Sequence, residues 1–123
     1  MASYEDSAIY KLGKQLAAEI HEMTLKELPK YEMYEEGSQI RKSSKSVVAT
    51  YVEGYGRRMY KAEYIKFLTY SLASNDETKA HLELLHETKL LSTDRFQYFL
   101  TGYRKLGRML YNLRKSLMEG RAT

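Results

Sequence analysis

The sequence predicts an all-α protein, one antiparallel up-down four-helix bundle spanning residues 1–123. Three observations predict it. The 123 residues hold one Pro and seven Gly, so few positions interrupt a helix. Apolar residues recur every three or four positions, as on one face of a 3.6-residue helix. The segments between these runs are short, which makes successive helices antiparallel neighbours.

Taken in order, the helices are expected at about 4–28, 38–55, 58–91 and 93–119. The first carries Ile9, Leu12, Leu16, Ile20 and Met23 as one apolar stripe. It starts near Ser3 or Ser7, and Pro29 ends it, because the residue before Pro disfavours helical geometry. The connector 30–37 brings Tyr31 and Tyr34, expected as a loop or short turn packed on the bundle end. Ser38 is the expected N-cap of the second helix. That helix is rich in β-branched residues, so packing rather than propensity must hold it. Gly54 and Gly56 are expected to break it, with a left-handed cap.

The third helix has core positions Tyr64, Phe67, Leu68, Leu72, Leu82 and Leu85. Its middle is polar, from Ser71 to Thr78, and a local kink is compatible with that run. Ser92 or Thr93 caps the fourth helix, with Asp94 favourable in its first turn. Phe99, Tyr103, Leu106, Leu110, Leu113 and Leu117 follow a 4-3-4-3-4 spacing, a coiled-coil-like seam.

The central stretch 39–77 departs from an ordinary helical hairpin. Ser43, Ser46, Thr50, Glu53, Ser71, Ser74 and Glu77 recur at helical spacing, which predicts a polar seam between the second and third helices. Glu53 and Glu77 are expected to hydrogen-bond within that seam or to pair with Lys42 or Arg57. Seven basic residues lie between Arg41 and Lys66, forming a basic rim.

The net charge of +4 is distributed in blocks: −4 over residues 1–40, +5 over 41–72, −3 over 73–94 and +6 over 95–123. Such blocks either build one basic face or pair across subunits. The absence of Cys excludes disulfides and thiolate metal sites and fits a reducing compartment. The N-terminus has no apolar signal region and no run is long enough to span a membrane, so a cytoplasmic location is expected.

Catalytic chemistry finds little support. His81 and His86 stand five apart, which separates them on a helix. Glu83 to His86 matches half of a di-iron Glu-x-x-His motif, with no second copy. No Ser sits in a nucleophile elbow. A non-enzymatic protein without cofactor or metal is therefore expected. The basic residues favour phosphate contacts. Lys42, Lys45, Arg57, Arg58 and Lys61 are the candidate nucleic-acid-binding set. Arg41 and Lys66 belong to the same rim, and Arg104, Lys105, Arg108, Arg114 and Lys115 assist. Tyr55 and Tyr60 flank the arginine pair and offer rings on which bases stack. The competing reading is a protein-interaction scaffold whose twelve tyrosines supply the interface.

The run Gln39-Ile40, Lys42, Ser46-Val47, Thr50, Glu53-Gly54 and Arg57 resembles the signature of bacterial four-helix bundle proteins known as 23S ribosomal RNA intervening-sequence proteins. Phe67-Leu68, the run Ser74 to Glu77, and Pro29 continue the resemblance over nearly the whole chain. The sequence departs from the family pattern at Lys42, where Arg is usual, at Ser43 and Ser44, where Ala is usual, and at Thr50, where Asn is usual. The resemblance implies a ring-like homo-oligomer, a pentamer, with no catalytic activity. It also implies a fold shared with the accessory proteins of diversity-generating retroelements, which bind nucleic acid and a reverse transcriptase. The implied partners are other copies of the chain, RNA or DNA, and a nucleic-acid-processing protein. On this resemblance Gln39, Ser46, Thr50, Glu53, Gly54, Ser74 and Glu77 are structural or interface residues.

Overall fold

The computed structural model describes residues 3–120. Four helices follow one another: α1 (Ala8–Lys26), α2 (Glu36–Gly56), α3 (Lys61–Glu87) and α4 (Thr93–Met118). Each packs on its neighbours in sequence, and α4 closes back onto α1, giving the up-down bundle.

α1 starts later than its first polar residues suggest, because Tyr4–Asp6 form a separate 3-10 turn capped by Ser3. Ser7 is the N-cap of α1 and accepts from the Ile9 and Tyr10 amides at 3.2 and 3.4 Å. It is buried, and the Tyr51 hydroxyl donates to its Oγ at 2.6 Å, tying α1 to α2. Leu16, Ile20 and Met23 face the core.

The connector is a second 3-10 turn, Lys30–Tyr34. It does not pack its tyrosines on the bundle end: Tyr31 is 66% and Tyr34 84% exposed. Leu28 and Ile40 fill that end instead. Arg41 holds the turn in place, donating to Thr24 Oγ1 at 2.8 Å and to the Met33 carbonyl at 2.5 Å.

α2 begins two residues before Ser38, which lies inside the helix. Its cap comes from the preceding turn, where the Glu32 carboxylate accepts from the Glu36 amide at 3.0 Å. α2 ends at Gly56, close to the expected end, but without the left-handed cap. Gly54 stays helical and buried because α3 passes against it; a Cβ there would lie 2.9 Å from the Phe67 Cβ. Among the described residues only Lys89 and Gly120 have positive φ.

A turn through Arg57–Tyr60 separates α2 from α3, so α3 starts at Lys61 rather than 58. It runs unbroken through its polar middle. It ends at Glu87, short of the expected 91, because Lys89 adopts φ 63° and the Leu90 and Leu91 amides turn back to the Leu85 carbonyl. Ser92 then caps α4, accepting from the Arg95 amide at 3.3 Å.

The polar seam between α2 and α3 is present, with a different membership. Ser46 and Ser74 share a hydrogen bond of 2.8 Å, Thr78 Oγ1 lies 2.8 Å from Ser43 Oγ, and the Ser71 hydroxyl donates to the Val47 carbonyl at 2.7 Å. Small hydroxyl residues let the helices approach while keeping every one of these groups bonded, which avoids the cost of burying an unpaired donor. The two carboxylates stand outside it. Glu53 is exposed, and Glu77 lies 3.2 Å from His81 Nε2 rather than pairing with Lys42 or Arg57. Such an exposed carboxylate keeps its hydration, which a seam of serines could not replace.

Candidate nucleic-acid interface

The five candidate residues do not form one patch. Lys42 and Lys45 are exposed in the middle of α2, whereas Arg57, Arg58 and Lys61 lie in or beside the α2–α3 turn. The helical rise puts roughly 20 Å between the two groups. At the turn both arginines have intramolecular partners. Arg57 pairs with Glu63 at 3.1 Å and stacks over the Phe67 ring at 4.7 Å. Arg58 donates to the Tyr55 carbonyl at 3.0 Å and lies over the Tyr55 ring at 4.1 Å. Tyr55 is buried, so of the two tyrosines expected to receive bases only Tyr60, 69% exposed, presents its ring to solvent. Lys66 pairs with Glu63 at 3.2 Å, and Arg41 serves the connector.

A strongly cationic concavity lies elsewhere, between α3 and α4. It is an open groove of about 580 Å³, lined by Lys79 from α3 and by Arg104, Arg108 and Arg114 from α4, against one carboxylate, Asp76. Asp76 is already tied to Lys79 at 3.2 Å. Arg114 donates to Thr69 Oγ1 at 3.2 Å and lies over the Tyr111 ring at 5.8 Å. Among the described residues Arg104 and Arg108 have no ion-pair partner. Four positive groups against one negative leave the groove strongly attractive to anions. Leu72, Ala73 and Gly107 also line it. Gly107 is required by packing beneath it, since a Cβ there would lie 2.9 Å from Asn75 Nδ2, which is itself held by a 3.0 Å bond to the Tyr103 carbonyl.

A smaller hollow of about 230 Å³, lined by Tyr111, Arg114, Lys115, Met118 and Glu119, continues the track toward the end of α4. Along α4 the residues Arg104, Arg108, Tyr111 and Lys115 follow a 4-3-4 spacing and cover roughly 16 Å. That spacing, offset from the leucine seam, was the available sequence signal. Lys79 and Thr69 were missed because they enter the site only when α3 and α4 are paired, whereas Tyr111 was in reach of that spacing.

Other concavities differ in sign or content. The hollow between the connector and the end of α3 is acidic, with Glu32, Glu35 and Glu36 beside Tyr31. The hollow at the α2–α3 turn is lined by Tyr51, Tyr55, Tyr64 and Arg58 with apolar Ile9 and Leu113. Burial pushes the Tyr51 and Tyr64 hydroxyls up, keeping them neutral donors at physiological pH. His81 bridges Glu36 and Glu77, and His86 stacks on Phe96 and reaches Thr93 Oγ1 at 3.1 Å. Among the described residues no cluster of three or more His, Cys, Asp or Glu is arranged to hold a metal. No helix of the described residues is long and apolar enough to cross a membrane.

The fold has a close structural counterpart. A crystal structure of a protein of unknown function from the S23 ribosomal protein family of Bacteroides thetaiotaomicron superposes with a TM-score of 0.80 at 19% identity, covering 88% of this chain and 99% of that one. No curated protein matches the chain. The family model for 23S rRNA-intervening sequence proteins matches residues 5–112, and the chain belongs to that family.

Proposed function

We propose that the protein is a non-catalytic nucleic-acid-binding protein that acts as a homo-oligomer in the cytoplasm. The observation that carries this reading is the α3–α4 groove, in which Arg104 and Arg108 have no ion-pair partner among the described residues and the one lining carboxylate, Asp76, is tied to Lys79. Phosphodiester oxygens are the abundant anions that match a linear track of cations on one helix face. Assembly of several copies, a pentamer on the family resemblance, multiplies a modest site without new contacts. Lys42, Lys45 and Lys61 then act as peripheral charge that steers the encounter.

The test is fluorescence anisotropy with a structured RNA and a matched DNA duplex, titrated across salt. Binding that weakens steeply with salt supports the reading. The slope counts the phosphates neutralised, and three or four contacts per site give about −2 to −4. No binding at low salt overturns it. A second reading, a scaffold that engages a nucleic-acid-processing protein, draws on one specific feature: Met59 is 91% and Tyr60 69% exposed at the same turn. Retention of a protein partner after nuclease treatment favours that reading.

A further inference from the structure

We infer that the α3–α4 groove takes a single-stranded segment, with phosphates on Arg104, Arg108 and Arg114 and one base stacked on Tyr111. This rests on the nucleic-acid reading above and specifies its ligand.

Shape is the first argument. The groove is the open furrow between two packed antiparallel helices. A single backbone can lie along such a furrow. A duplex is wider and convex, so it rides on the rims and leaves the furrow unfilled. The lining is also the wrong chemistry for a rim-only ligand. Leu72, Ala73 and Gly107 are apolar or bare, and they favour the flat face of a sugar or base over a hydrated phosphate.

Tyr111 is the second argument. It is 50% exposed on the groove wall, between Arg108 and Arg114. Arg114 lies over its ring and is itself held by Thr69, so the ring and the cation form a pre-arranged platform. An exposed aromatic flanked by cations is how sequence-tolerant single-strand sites combine stacking with backbone contacts. Free inorganic phosphate would satisfy the arginines and leave Tyr111 and Leu72 in water. Only a ligand that carries both charge and π-faces uses the whole groove.

The experiment compares a fluorescein-labelled unstructured twelve-nucleotide RNA, the same sequence as DNA, and the corresponding duplex. Each is titrated with the wild-type chain and with Tyr111→Ala, Tyr111→Phe and the double variant R104E/R108E. Circular dichroism checks that each variant keeps the wild-type helical signal. The expected result is tighter binding of single strands than of duplex. Tyr111→Ala should weaken single-strand binding about tenfold and leave duplex binding unchanged. Tyr111→Phe, which keeps the ring, should bind like wild type. Equal or tighter duplex binding, or an unaffected Tyr111→Ala, overturns the inference; if R104E/R108E still abolishes binding, the nucleic-acid reading survives that failure. Absence of binding to every probe overturns both.

Discussion

The two flanks of α3 are built on opposite rules. Toward α2 it presents Ser71, Ser74 and Thr78, and every one of these hydroxyls has a partner on α2 or within α3. The arginines at the end of that flank are likewise engaged, by Glu63, Phe67 and Tyr55. Toward α4 the buried side chains are mostly apolar, Leu82 and Leu85 on α3 and Phe99, Leu106 and Leu110 on α4, with one polar link from Asn75 to the Tyr103 carbonyl. The outer edge of that flank opens into a groove in which Arg104 and Arg108 have no ion-pair partner among the described residues. The closed flank is satisfied from within, and the open flank has binding capacity left over. Charge density along the sequence therefore does not rank availability: residues 41–72 and 95–123 hold seven basic residues each, yet Arg57 and Arg58 in the first are engaged while Arg104 and Arg108 in the second have no ion-pair partner among the described residues.

Several changes sharpen this contrast. The largest effect is expected at high pH, because both flanks bury tyrosines. Burial raises the pKa of Tyr51, Tyr64 and Tyr103 above their ordinary value. Groups with a raised folded pKa contribute stability that is complete below their unfolded pKa, near 10, and lost as pH climbs through the folded one. Three such groups tilt stability by up to about 4 kcal/mol per pH unit above that point. Thermal melts between pH 8 and 12 should show a flat region followed by a steep fall; a melting temperature constant to pH 12 would show that these hydroxyls ionise freely in the folded chain.

Next comes Gly54→Leu on the closed flank. Phe67 stands where the new side chain must go, and overpacking costs about 1–3 kcal/mol, more than the helix propensity gained. Urea unfolding should show a lower midpoint, and an unchanged midpoint would mean that α2 and α3 separate without loss. Ser46→Ala removes one seam hydrogen bond and should cost about 1 kcal/mol by the same measurement, with no change in nucleic-acid affinity. A loss of affinity in a stable Ser46→Ala protein would place the ligand on the closed flank. The smallest effect is expected from Tyr103→Phe. Its hydroxyl is buried with no close hydrogen bond among the described residues and only the Ser44 side chain as a weak partner, so its removal should leave stability nearly unchanged. A clear destabilisation would reveal a stronger partner for that oxygen.

Much of the fold was legible because it rests on local chemistry. The 4-3-4-3-4 run from Phe99 to Leu117 placed α4, Ser92 placed its start, and Pro29 placed the end of α1 within a few residues. The features that were not legible depend on other elements. The start of α2 is set by a Glu32 side chain in the preceding turn, and the end of α3 by a Lys in a conformation usually taken by Gly. Gly54 reads as a helix breaker until α3 is laid against it. The candidate site was half-legible: the cations of α4 were recognisable as a set, but their rank was not. Arg57 and Arg58 looked free because Glu63 and Phe67 reach Arg57, and Tyr55 receives Arg58, only once the turn has formed. The groove needs Lys79 and Arg104 together, residues 25 positions apart brought to one furrow by antiparallel packing.

The most direct test of the contrast reverses charge on each flank in turn. R104E/R108E and R57E/R58E carry the same change in net charge, so any difference in nucleic-acid affinity reports position. Anisotropy at fixed salt should show about a hundredfold loss for R104E/R108E, from two charge-assisted contacts at roughly 1.5 kcal/mol each. R57E/R58E should lose only the few-fold expected of long-range attraction. An equal loss in both, or a larger loss at Arg57 and Arg58, would contradict the account and return the site to the α2–α3 turn.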